Sequence, residues 1–194
     1  MGAERSSLVK VKKGVEYLKT TNEVHDCLFC RIVHGESEIN QLWYADDLCA
    51  LFVPRSPAAR LHFLITPLEH IRTINELTKD HLPLLEHIRE VALEQLRVHS
   101  ELASSKLQPL AHPPTYKFNR GKLNNDTENT MKETTSNNDH NFIFCFHAPP
   151  YNSIDHLHLH AIYKPFVNLW SSIQYSNNKS WCKSLEHVIR DLKK

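Results

Sequence analysis

The stretch Ser153-Ile-Asp-His-Leu-His-Leu-His-Ala-Ile162 decides the fold of this chain of 194 residues. Every second residue from His156 to His160 is a histidine, and the residues between them are apolar. Because successive side chains of a strand point to opposite faces, the three imidazoles would line one face and the apolar side chains the core. A neutral imidazole offers a nucleophilic or metal-binding nitrogen near neutral pH. The segment therefore predicts a strand that carries chemistry on one face.

Two other interpretations of this segment stay open. A chain with 14 histidines produces some His-x-His pairs by chance, although the regular apolar spacing and the preceding Ser153 disfavour that explanation. A three-histidine zinc site is the second alternative. Same-face positions on a strand lie about 6–7 Å apart, so three rings from one straight strand converge poorly on one ion. A catalytic role is the favoured interpretation.

Short apolar segments on both sides of the motif supply the rest of an antiparallel sheet of about five strands. The predicted strands are 41–44, 48–53, 61–65, 141–146 and 156–162. Ala45-Asp46-Asp47 favours a hairpin between the first two, and Pro67 ends the third.

One long amphipathic helix is predicted to begin at Thr78, a good N-cap, with Asp80 in its first turn. Apolar residues then recur at three- and four-residue spacing from Leu85 to Leu96, which predicts a core-facing stripe. A second helix is expected over 185–192. Together these elements predict an α+β domain in which the sheet packs on the long helix.

The remaining segments are polar. Residues 1–24 are predicted to be a polar tail with a short helix near 11–18, so that the domain covers 25–194. About 103–139 is polar and without period, which predicts a disordered insertion. The three tryptophans are expected to be core or interface anchors; they are Trp43, Trp170 and Trp181.

Composition narrows the function classes. A net charge of +1 gives no global electrostatic reason to bind nucleic acid or an anionic membrane. We expect no membrane span and no secretory signal, because no apolar run has the required length. Five cysteines are an odd number and form no disulfide framework. Reduced thiols and a cytoplasmic or nuclear location are therefore expected.

Several blocks together resemble the histidine-triad superfamily. The segment 156–162 matches its H-x-H-x-H pattern with apolar spacers, Cys27-Leu-Phe-Cys-Arg-Ile-Val33 resembles the opening of many members, and 62–70 resembles their central strand and turn. Phe146-His-Ala-Pro-Pro-Tyr-Asn-Ser153 is similar to the third branch of the histidine-triad nucleotide-binding proteins, the adenosine 5′-monophosphoramidase type. The resemblance covers about 27–191 without the insertion. It implies the histidine-triad fold and a homodimer.

The resemblance also implies a reaction. His158 would attack the α-phosphorus of an adenosine 5′-phosphoramidate, and water would release AMP from the nucleotidyl-histidine. His156 would supply or relay a proton, while His160 would hold His158 and contact the phosphate. Ser153 and His62 match a hydroxyl donor and a further histidine beside the phosphate. The chemistry would need no metal.

A structural zinc site is a separate expectation. Cys27, Cys30 and His70 match positions that bind zinc in some relatives, with His156 as the fourth ligand. His156 would then be less free to handle protons. The alternative is that the two cysteines are packed in the core without an ion.

Two positions depart from the family. An acidic residue that binds the ribose hydroxyls is replaced by Pro54, so sugar recognition would be altered, weakened or displaced to Asp46 or Asp47. An asparagine on the strand before the triad is replaced by Cys145. Three alternative functions stay open: hydrolysis of dinucleoside polyphosphates, removal of adenylate from nucleic-acid ends, and nucleotide binding without catalysis. The near-neutral charge disfavours the nucleic-acid version.

Overall fold

A computed structural model describes residues 8–36, 42–104, 139–176 and 179–194. The strands are β1 (Val9–Lys12), β2 (Val15–Leu18), β3 (Val24–Cys27), β4 (Leu42–Ala45), β5 (Cys49–Phe52), β6 (Ala59–Pro67), β7 (Phe142–His147), β8 (Leu159–Phe166) and β9 (Cys182–Ser184). The helices are α1 (Leu28–Val33), α2 (Leu82–Ser104), α3 (Leu169–Gln174) and α4 (Leu185–Leu192). Short 3-10 turns lie at Ile74–Glu76, Lys79–His81 and Asp139–Asn141. Among the described residues, no helix combines the length and hydropathy that crossing a bilayer requires.

The main sheet has six strands in the order β4-β5-β6-β8-β7-β9, and all of its pairings are antiparallel. β6 and β8 lie at its centre, where Leu64 pairs with His160. The α+β prediction is confirmed. The sixth strand, β9, was not predicted because three residues are too few to show a period of two.

One face of the sheet packs on α2. Leu61, Phe63 and Ile65 of β6 join the apolar stripe of the long helix in one buried cluster. Burial of each side chain of this size contributes about 1.5–3 kcal/mol to the free energy of folding. The predicted stripe is therefore confirmed. Thr78 caps a 3-10 turn, and the α-helix itself begins at Leu82.

The N-terminal segment corrects the expectation of a polar tail with a helix near 11–18. β1 and β2 form a hairpin, and β2 also pairs with β3. Lys13 and Gly14 have φ of 48° and 71°, which suits the tight turn of a two-residue hairpin. Val15 and Tyr17 alternate into a core cluster and are 0% and 1% exposed. β2 therefore belongs to the folded unit, because its alternating side chains are buried in the core.

The histidine segment also differs from its prediction. β8 begins at Leu159, whereas the predicted strand began at His156. Before β8 the chain makes isolated hydrogen bonds instead of a strand ladder. In one of them the N–H of Leu157 donates to the carbonyl of Ile71 at 2.7 Å. Leu157 and Leu159 still pack in the helix-side core, as predicted. His156 lies ahead of the strand ladder and contacts a different set of side chains from His158.

The tryptophans fall into three environments. Trp43 is buried against Phe63, with 5.4 Å between ring centroids, as a core anchor should be. Trp181 is half-buried, whereas Trp170 is 80% exposed, so Trp170 is not a core anchor and its place at an interface stays a prediction. The predicted insertion lies almost entirely outside the described residues, and α2 extends into its first positions.

Candidate active site

His158 presents one free ring nitrogen. Its Nδ1 lies 2.6 Å from the carbonyl oxygen of His156. A carbonyl oxygen only accepts hydrogen bonds, so Nδ1 carries the hydrogen and Nε2 carries the lone pair. Among the described residues, none is hydrogen-bonded to that Nε2. The residue is 5% exposed, and the ring of Phe29 packs against it at right angles with 5.2 Å between centroids.

Burial keeps the neighbouring imidazoles neutral. It lowers the pKa of His158 to about 4 and that of His62 to about 3, and it holds the pKa of His160 well below its usual value. Repulsion between the rings in their charged forms adds to the effect. At pH 7 these rings are therefore neutral, and the neutral form is the nucleophilic one.

A chain of hydrogen bonds orients His160. The backbone N–H of Ala58 donates to Nδ1 of His62 at 3.0 Å, so the hydrogen of His62 is on Nε2. That Nε2 lies 3.0 Å from Nδ1 of His160 and donates to it. The N–H of His160 is consequently on Nε2, which is buried and has no partner among the described residues. An unpaired buried donor costs about 1–3 kcal/mol, and a phosphoryl oxygen would satisfy it.

His147, at the end of β7, completes this group but was missed by the sequence reasoning. Its ring centroid lies 4.6 Å from that of His160, and its Nε2 is buried and unpaired within the described part of the chain. Burial lowers its pKa. It lines a small cavity together with His158. The available signal is its place in the block 146–153, but a single histidine at a strand end does not by itself indicate a role. We call His62, His147, His158 and His160 the imidazole cluster.

Ser153 lies on the surface of the loop that precedes the triad. The small cavity beside His158 is lined by its neighbours Asn152 and Ile154 instead. Asn152 is buried and donates to the carbonyl of Ile154 at 3.1 Å, which holds this loop in shape. The phosphate role of Ser153 stays a prediction.

The four predicted zinc ligands come together. Their ligand atoms all lie within 4.8 Å of one another; the residues are Cys27, Cys30, His70 and His156. Nδ1 of His156 is 3.4 Å from Sγ of Cys27, and Nδ1 of His70 is 3.2 Å from Sγ of Cys30. Neighbouring sulfur and nitrogen ligands of a tetrahedral zinc are separated by about 3.5 Å. The residues therefore fit the ion. We call this group the thiol cluster.

The far nitrogens of both histidines are held by partners outside the thiol cluster. Nε2 of His156 donates to the carbonyl of Pro67 at 3.3 Å. Nε2 of His70 is 3.4 Å from the hydroxyl of Tyr17, which donates to the buried carboxylate of Asp155 at 2.7 Å. Asp155 also pairs with Arg72 at 2.9 Å. Such partners fix the tautomer that leaves Nδ1 bare for a metal.

The thiols themselves are electrostatically coupled. The hydrogen bond from Cys30 lowers the pKa of Cys27, and the imidazole of His156 lowers it further, while burial opposes both. The same bond raises the pKa of Cys30. A thiolate is the form that binds metals. All five cysteines of the chain are free thiols.

Asp46 does not replace the missing ribose carboxylate. Its side chain accepts from the backbone N–H groups of Leu48 and Cys49 at 2.8 Å. It also lies 2.6 Å from Nε2 of His87 on α2. These contacts place it on the helix side of the sheet, opposite the imidazole cluster, which disfavours displacement of sugar binding to Asp46. Asp47 is exposed in the same turn, and Cys145 is buried directly across from His160.

Comparisons with known proteins agree with this geometry. The family model described as "Scavenger mRNA decapping enzyme C-term binding" matches residues 26–118. A bifunctional adenosine 5′-phosphosulfate phosphorylase/adenylylsulfatase of Arabidopsis thaliana is 30% identical over 153 residues, which are 78% of this chain and 79% of that protein. An adenosine 5′-monophosphoramidase of Mus musculus is 28% identical over 173 residues, 87% of this chain and 82% of the mouse protein.

The fold is also found among solved structures. That of a HIT family hydrolase from Legionella pneumophila Philadelphia 1 matches with a TM-score of 0.50 and 22% identity, covering 74% of this chain and 97% of that one. The chain therefore belongs to the histidine-triad family of nucleotide hydrolases.

Proposed function

We propose that the protein hydrolyses adenosine 5′-phosphoramidates to AMP and an amine, with His158 as the nucleophile. The observation that carries this proposal is the fixed tautomer of His158, whose Nδ1–H is bound to a carbonyl oxygen and whose neutral Nε2 has no partner within the described residues. The mouse relative, named as an adenosine 5′-monophosphoramidase, supports the choice of substrate.

The reaction runs in two displacements. Nε2 of His158 forms a bond to the α-phosphorus while the phosphorus–nitrogen bond breaks, and the electron pair leaves with the amine, which takes up a proton from solvent. Water then attacks phosphorus, the bond to Nε2 breaks, and AMP and a proton are released. Splitting one displacement into two through a covalent intermediate lowers each barrier.

The rest of the imidazole cluster serves the phosphate. The unpaired Nε2–H of His160 is a buried donor for a phosphoryl oxygen, and His62 fixes its orientation. The expected proton relay through His156 is not favoured, because both of its ring nitrogens are engaged elsewhere. We assign the relay of that proton from solvent to His147, whose Nε2 is unpaired among the described residues.

We also propose that the thiol cluster holds a structural zinc ion. Zinc would cross-link α1 to the segment that leads into β8. Cys27 and Cys30 would hold it through sulfur, and His70 and His156 through Nδ1. His156 would then position the backbone carbonyl that orients His158.

Cleavage of adenosine 5′-phosphosulfate is a second candidate function. It is supported by the name of the Arabidopsis relative, a phosphosulfate phosphorylase/adenylylsulfatase. The same Nε2 of His158 would attack the same phosphorus, and sulfate would leave without a proton. The two functions are separated by comparing kcat/KM for the two substrates.

Incubating the purified protein with adenosine 5′-phosphoramidate tests the proposal. AMP release by the wild type, lost in His158→Ala and kept in His25→Ala, supports it, because His25 is an exposed histidine on β3. Nucleotide binding without turnover would favour a non-enzymatic binding protein. A higher kcat/KM for a dinucleoside polyphosphate would favour that alternative instead.

A further inference from the structure

A cleft of about 360 Å³ opens beside the imidazole cluster, between α3 and the segment that leads into β9. Its lining residues are His147, Tyr151, Trp170, Ile173, Gln174 and Trp181. We call it the aromatic cleft, since three of these six lining residues are tyrosine or tryptophan.

His147 connects the aromatic cleft with the reaction centre. The same residue lines the cleft and the small cavity beside His158. Its ring is in contact with that of His160, 4.6 Å away between centroids. A substrate whose phosphorus lies at His158 can therefore extend one of its substituents past His147 into the cleft.

The lining selects the chemistry of that substituent. Tyr151 and Trp181 face each other edge to face at 6.3 Å between centroids. Tyr151 is 57% exposed and Trp170 is 80% exposed, so the mouth of the cleft presents two large aromatic rings to solvent. Among the described residues, no lysine, arginine, aspartate or glutamate lines the cleft. This surface suits a flat, uncharged ring and offers no cation for further phosphates.

We propose that the aromatic cleft binds the leaving amine of the substrate, and that the preferred substrates are adenosine phosphoramidates of amines that carry an aromatic ring. This inference rests on the proposed function and names its substrate class. The amine is the first product to leave, while the nucleotide stays bonded to His158. A site for that amine has to open to solvent on its own, as the exposed rim at Trp170 does.

Two substrates separate the effect of an aromatic ring on kcat/KM from the effect of the basicity of the amine. The adenosine phosphoramidate of benzylamine carries a ring, and that of 2-methoxyethylamine has similar basicity without one. We expect the wild type to prefer the benzyl substrate, and Trp170→Ala to lower the ratio of the two kcat/KM values about 10-fold. Tyr151→Ala should lower the same ratio. Trp170→Phe should keep most of it, since phenylalanine retains a ring.

Leu169→Ala is the matched control, because Leu169 is 76% exposed on the same helix but does not line the cleft. An unchanged ratio in both alanine variants of the cleft would overturn the inference. Equal losses for both substrates would also overturn it, and would indicate that the cleft holds the nucleoside or a second copy of the chain. If the wild type releases AMP from neither substrate, the proposed function itself is wrong, and this inference falls with it.

Discussion

The thiol cluster and the imidazole cluster stand next to each other, yet their histidines are used in opposite ways. In the thiol cluster each ring nitrogen has a partner: His156 and His70 turn Nδ1 to the thiols, and their Nε2 atoms meet the carbonyl of Pro67 and the hydroxyl of Tyr17. In the imidazole cluster, Nε2 of His158 and of His160 lack a partner among the described residues. Residue type alone does not set the role. The hydrogen bond at one ring nitrogen fixes the tautomer, and the tautomer decides whether the other nitrogen is held by a partner or is available to react.

The largest expected effect is a loss of catalytic activity that distinguishes the imidazole cluster from the thiol cluster. His158→Ala removes the nucleophile and should lower kcat by about 10³-fold or more. Its melting temperature should fall only modestly by comparison, through the lost packing of the buried ring against Phe29. AMP release and thermal unfolding measure the two quantities. Near-normal turnover by this variant would contradict the division of roles.

The second effect concerns folding. Cys27→Ser should abolish bound zinc and lower the free energy of unfolding by about 3 kcal/mol or more, because binding of a structural metal is coupled to folding. Metal content by mass spectrometry and urea unfolding are the measurements. Cys182→Ser, a buried thiol outside the thiol cluster, should keep its zinc. Loss of zinc from both variants, or from neither, would disagree with the assigned ligands.

The third effect tests the outer partners of the thiol cluster. Asp155→Asn weakens the carboxylate that accepts from Tyr17 and pairs with Arg72. Zinc affinity should fall, by less than the about 10–100-fold that loss of a direct partner of a ligand histidine costs, because Asp155 acts on His70 through Tyr17. Competition with a chromogenic chelator gives the affinity. Glu76→Gln, on the exposed side of Arg72, is the control that should change it little.

The smallest effect concerns the orientation of His160. His62→Asn removes the ring that donates to Nδ1 of His160, and kcat should fall about 10-fold with less change in KM. His62 is a positioning residue, since it acts through His160. Steady-state kinetics on the phosphoramidate provide both constants. A higher KM with an unchanged kcat would show that His62 contributes to binding alone.

Most of the fold follows from periodicity. The alternation in β6 and β8 and the stripe on α2 are strong signals because each element is long enough to repeat its pattern. The hairpin of β1 and β2 lacks such a signal. Its strands have four residues each and are polar on one side, and Lys13-Gly14 is a weak turn signal beside the lysines that precede it.

The sequence predicts which residues belong to the site better than it predicts how they are arranged. The spacing of the triad and the family resemblance find His158 and the four residues of the thiol cluster. The separation of His156 from His158 depends on where the strand ladder begins, and local sequence does not specify that point. His147 enters through the pairing of β7 with β8, a long-range contact. The homodimer, the cytoplasmic or nuclear location and the role of Ser153 stay predictions.

Detection of the covalent intermediate tests the nucleophile most directly. Protein mixed briefly with excess adenosine 5′-phosphoramidate is denatured at alkaline pH, which preserves phosphorus–nitrogen bonds to histidine, and its intact and peptide masses are measured. A mass increase of one adenylyl group on the peptide at His158, missing in His158→Ala, is the predicted result. An adduct on another histidine, or AMP formation that persists in His158→Ala, would contradict the account.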